Sequence, residues 1–95
     1  MHVQIVKFKL KPDTSRETFI ELTEQMLAWL NSADGFVTYE LYEGSEYWCD
    51  RIAWKSDKHA QEGLKAFRRT ATAKQMIPLV ESDYSSFFVE AVVCA

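Results

Sequence analysis

Few side chains in this sequence have reactivity of their own to offer: two imidazoles, His2 and His59, and two thiols, Cys49 and Cys94. Ser56 and Asp57 have the character of a helix cap, which places His59 in the first turn of a helix. There the helix dipole disfavours an imidazolium, so a neutral ring is available as a base. The competing reading is a solvent-exposed histidine, because no carboxylate at fixed spacing is evident to orient the ring. His2 lies close to the chain start, where ordering is least expected. Two His and two Cys without tight spacing do not make a recognisable zinc site. The thiols are a single unremarkable pair, better read as reduced cysteines than as a disulfide framework. A glycine-rich phosphate loop, a nucleophile elbow and a paired-cysteine motif are all absent from the sequence.

Positioning such groups requires a frame, and the periodicity supplies one. Val3 to Leu10 alternates with the period of a strand and Pro12 closes it. Thr14 to Glu17 fits a capping box, followed by a helical stripe of Phe19, Leu22, Met26, Trp29 and Leu30 that ends at Asp34 and Gly35. Phe36 to Tyr42 and Tyr47 to Trp54 form a hairpin about Glu43, Gly44, Ser45 and Glu46. A second helix carries Ala60, Leu64 and Phe67, with Gly63 inside it as a sign of close packing. Thr70 or Thr72 starts a further short helix that Pro78 kinks or restarts, and Phe87 to Val93 is the last strand. The order β-α-β-β-α-β is the ferredoxin-like split βαβ arrangement, an α+β fold with a four-stranded antiparallel sheet and helices on one face. Within it, the spacing of Trp29 and Tyr39 accounts for both as core residues, and Trp54 is a packing residue at a strand end or a clamp for a flat ring.

The totals agree with one such unit. Residues 1–95 suit a single domain, and 47% hydrophobic residues with three Gly and two Pro suffice for a core. A net charge of -3 and a pI near 5.3 argue against nucleic acid or an anionic membrane as principal partner. The start of the chain has no apolar run of signal-peptide length, and no stretch is long enough to span a bilayer, so a cytoplasmic location is expected.

Sorting the strand residues by parity puts Val6, Phe8, Leu10, Val37, Tyr39, Leu41, Phe87, Val89, Ala91 and Val93 beneath the helices. The other set is Val3, Ile5, Lys7, Lys9, Phe36, Thr38, Glu40, Tyr42, Phe88, Glu90 and Val92. That second face is too apolar for water yet carries both signs of charge, so a self-complementary homodimer is expected to cover it.

Gly35-Phe36-Val37-Thr38-Tyr39-Glu40-Leu41-Tyr42 after the first helix, and Trp54-Lys55-Ser56 before the second, resemble the dimeric α/β-barrel superfamily, in particular its antibiotic biosynthesis monooxygenase (ABM) domains. His2-Val3 followed by Phe8-Lys9-Leu10-Lys11-Pro12 is similar to the stress-responsive branch of that superfamily. The resemblance spans nearly the whole chain and implies two sheets closing into a barrel. It further implies oxidation of a small aromatic, phenolic or quinol substrate by O2 with no cofactor, in a pocket between sheet and helices. On that reading Trp54, Tyr39, Trp29 and Phe67 wall the pocket and His59, or else His2, moves the proton. The sequence departs from the pattern at Gly63, where relatives often carry His or Trp, and its first strand has no Asn of the haem-degrading kind. A non-catalytic dimer that binds a small hydrophobic molecule or serves a stress response is the alternative.

Overall fold

A computed structural model describes residues 1–94. Its elements are β1 (His2–Phe8), α1 (Arg16–Leu30), β2 (Phe36–Glu43), β3 (Trp48–Trp54), α2 (Asp57–Phe67), α3 (Ala71–Met76), a 3-10 turn (Ile77–Leu79) and β4 (Ser85–Glu90). The strands make one antiparallel sheet in the order β2-β3-β1-β4, the ferredoxin-like topology.

Local chemistry sets the helix ends. The α1 cap is Ser15, whose hydroxyl accepts from the Thr18 amide, one residue beyond the expected Thr14. Thr14 instead donates to the Leu79 carbonyl, tying the loop before α1 to the 3-10 turn. The helix stops at Leu30, and Gly35, at φ 80°, turns the chain into β2. Ser56 caps α2 and Thr70 caps α3, each accepting the amide three residues on. Pro78 ends α3 by restarting the chain as the 3-10 turn.

One face of the sheet buries Phe8, Ile52 and Trp54 against Phe19, Leu22, Met26 and Leu30 of α1, Ala60 of α2 and Met76 of α3. Directly paired residues share a face, so the register assigns the rest. His2, Gln4, Val6 and Phe8 lie on the helix side with Trp54, Ile52, Asp50 and Trp48. Gly63 shows how tight the α2 contact is: a Cβ there would stand 2.1 Å from the Trp54 ring.

The register corrects two parts of the expected face assignment. A bulge between Phe36 and Thr38 turns Phe36 inward, where its ring meets Trp54 edge-on at 6.0 Å. In β4, Phe88 and Glu90 pair with Gln4 and His2 on the helix side, whereas Phe87 and Val89 pair with Ile5 and Val3 on the outer side. The parity of β4 is thus the reverse of the expectation, and the strand ends at Glu90, before Ala91, Val92 and Val93. Lys9 and Leu10 lie beyond β1, Leu10 making an isolated bridge to Val80.

Candidate active site

Between the helix side of the sheet and the helices lies a cavity of about 550 Å³. Its floor is Gln4, Val6, Phe8, Asp50 and Ile52; Phe19 and Met26 of α1, Leu64 and Phe67 of α2 and Met76 of α3 form the walls; Arg68, Glu81, Ser82 and Tyr84 stand at its margin. This volume is in the range that takes one small molecule. A second hollow of similar size, about 540 Å³, is a surface groove lined by the 11–15 loop, Thr18, Pro78 and Leu79. None of its lining side chains has a buried polar atom without a partner, so the cavity over the sheet is the candidate site.

The polar part of that floor is a carboxyl in apolar surroundings. Tyr39 Oη donates to Asp50 Oδ2 at 3.2 Å, across β2 and β3. Asp50 Oδ1 is closed off from solvent and has no partner. Burial raises the Asp50 pKa to about 6, against the opposing pull of the Tyr39 hydrogen bond. Burial, then the neighbouring Asp50 charge, pushes the Tyr39 phenol far up, so it stays a donor. On β1, Gln4 gives its amide N–H to Ser86 Oγ at 3.1 Å, and its Oε1 is also buried without a partner. A carboxyl that titrates near neutrality, held by a phenol on one oxygen and unpaired on the other, can take a proton from a bound hydroxyl once its terminal torsion turns that oxygen to the cavity.

The residues expected from sequence are partly gathered here. Phe67 lines the cavity, with Trp29 packed behind it at 5.5 Å between centroids, and Tyr39 holds Asp50. Trp54 is fully buried beneath Gly63, away from the cavity lining, its Nε1 without a partner. His59 also stands apart from the lining. Its Nδ1 is 2.8 Å from Ser56 Oγ, its Nε2 is 3.6 Å from Asp34 Oδ2, and its ring covers Gly35. Asp34 is thus a neighbouring carboxylate, brought close by the Gly35 turn, but the pair is at the surface. His2 stacks on Phe88 at 5.1 Å, with Glu90 at Nδ1 and Asp57 3.4 Å from Nε2. The sequence reading missed Asp50 and Gln4. Parity held the signal for Asp50, an acidic residue in step with Ile52 and Trp54 on the inward face of a central strand.

No family model matches the chain, and a search of curated proteins finds no match. Solved structures do match its fold. A single-residue variant of SnoaB, a cofactor-independent oxygenase from Streptomyces nogalater, superposes with a TM-score of 0.83 at 12% identity, over 98% of this chain and 94% of that one. An antibiotic biosynthesis monooxygenase gives a TM-score of 0.70 at 15% identity, over 98% of this chain and 100% of that one. At3g17210 from Arabidopsis thaliana gives 0.82 at 9% identity, over 100% and 99%. The chain therefore has the α+β ferredoxin-like fold of these ABM-like structures. At these identities the likeness is one of fold.

Proposed function

We propose that this protein is a cofactor-independent oxygenase of a small hydroxylated aromatic, with Asp50 as the proton acceptor. The observation that carries the reading is the Asp50 carboxyl, tied to Tyr39 on one oxygen and unpaired on the other, in the floor of an apolar cavity. Phe67, backed by Trp29, supplies a flat wall for a ring. Cofactor independence is carried over from SnoaB.

For a phenol with an open ring position, the phenolic proton passes to Asp50 and the phenolate, the better reductant, gives electrons to O2. One oxygen atom bonds to the ring carbon. The second leaves as water with the two hydrogens lost from oxygen and carbon, and Asp50 returns its proton in that step. Phenol and O2 thus become quinone and water, with four electrons transferred. Isotopically labelled dioxygen tests this: one labelled atom is expected in the quinone and one in water, and an unlabelled product contradicts it. Saturable binding of aromatics with no oxygen uptake above the protein-free rate supports the binding-protein reading instead, for which the tight Gly63 contact in place of a polar α2 side chain is the favouring observation.

Two copies are proposed to pair through the outer sheet face. Tyr42, Phe87 and Val89 are 47%, 49% and 41% exposed there, beside the Arg51–Glu40 ion pair and Lys7. A two-fold axis lets one such patch cover its own copy, which is the arrangement of a dimeric α/β barrel.

A further inference from the structure

The cavity floor holds two buried oxygens without partners, on neighbouring strands: Asp50 Oδ1 and Gln4 Oε1. Gln4 pairs directly with Ile52, so Asp50 is its diagonal neighbour on the same face. Such neighbours have Cβ atoms about 7 Å apart, a span that one ring bearing two hydroxyls can bridge. Gln4 commits its N–H to Ser86, which leaves the carbonyl oxygen buried and without a partner. Both free groups accept hydrogen bonds, and each costs free energy while unpaired. Their terminal torsions are broad, so either oxygen can turn to a ligand without backbone movement.

We propose that Gln4 is a specificity-determining residue, selecting an aromatic whose second hydroxyl lies a ring's width from the one facing Asp50. The proposal rests on the cavity being the ligand site, as in the oxygenase reading. A diol donates to both oxygens. A monoether satisfies Asp50 and leaves Gln4 unpaired. A quinone without a hydroxyl offers only acceptors and sets its carbonyl oxygens against Gln4 and the ionised Asp50, so it is the poorest ligand of the three.

Anaerobic calorimetric titration of the full chain with naphthohydroquinone, its monomethyl ether and naphthoquinone tests this. The diol is expected to bind roughly tenfold more tightly than the monoether, the worth of one buried hydrogen bond, and the quinone most weakly. In Gln4→Met, which keeps length and removes the acceptor, diol and monoether are expected to bind alike. Ser86→Ala, at the exposed edge strand, frees the Gln4 amide to turn and is expected to narrow the difference. Equal affinities for diol and monoether in the wild type, or a full difference retained in Gln4→Met, overturn the proposal. Oxygen uptake separates this from the parent reading: discrimination without uptake removes the oxygenase and keeps the Gln4 subsite, whereas uptake without discrimination does the reverse.

Discussion

Tyr39 on β2 and Asp50 on β3 are joined by a single hydrogen bond of 3.2 Å, and only one oxygen of the carboxyl takes part. The pair connects the edge strand to the cavity floor. Because the Asp50 pKa is raised from 3.8 to about 6, the folded state holds that proton more tightly than the unfolded chain.

The sign of its effect on stability follows. Below pH 3.8 the carboxyl is neutral in both states and costs nothing. Between pH 3.8 and about 6 the unfolded chain releases a proton that the folded protein keeps, so stability falls by on the order of 3 kcal/mol for a shift of about two units, and the loss is complete once the buried group has ionised above about 6. Asp50→Asn is therefore expected to stabilise the protein at about pH 8 and to change little at about pH 4. Urea denaturation at the two pH values checks this, and an equal effect at both contradicts it.

Tyr39→Phe removes the donor that opposes the upward shift of Asp50. The carboxyl should titrate higher still, seen directly by carbon NMR of labelled aspartate. The loss of stability should be about 1.5–3 kcal/mol where Asp50 is charged and smaller where it is neutral, since hydrogen bonds to ions are the stronger ones. A downward movement of the Asp50 titration would be the contrary result.

Gly63→Ala sets two effects against each other. Ala favours a helix interior by about 1 kcal/mol, but its Cβ would stand 2.1 Å from the Trp54 ring, and overpacking of this kind costs about 1–3 kcal/mol or more. The ring is fully buried with little room to yield, so a net loss is expected, together with altered tryptophan emission. A rise in the urea midpoint would show that the contact is looser than described.

Phe87→Lys places a charge on the exposed outer face, on the edge strand β4, without touching the helix-side core. Sedimentation is expected to give a dimer for the wild type and 11.0 kDa particles for the variant. Wild-type particles of 11.0 kDa at micromolar concentration would remove the dimer from the account.

Much of the frame is legible in the residues themselves. Ser56 announces the α2 start, Gly35 the left-handed turn, Gly63 a close approach and Pro78 the end of α3, because each acts through its own backbone or nearest contacts. Phe87, Phe88 and Val89 are different. An edge strand with apolar residues on both parities carries no internal sign of which set turns inward, and pairing with β1 decides it. Phe36 turns inward for another reason, a bulge that moves one residue across the sheet. The site is least legible, since Gln4, Tyr39 and Asp50 stand on three strands and meet only through the register. His59, conspicuous in sequence for its helix-start position, is absorbed by Ser56, Asp34 and Gly35 outside the cavity.

Oxygen uptake with naphthohydroquinone, above the protein-free rate, compared among wild type, Asp50→Asn and His59→Ala, bears most directly on Asp50 as the base. The wild-type rate is expected to rise as pH passes through about 6, to fall at least tenfold in Asp50→Asn and to persist in His59→Ala. Equal rates in Asp50→Asn and wild type, or loss of turnover in His59→Ala alone, would contradict it.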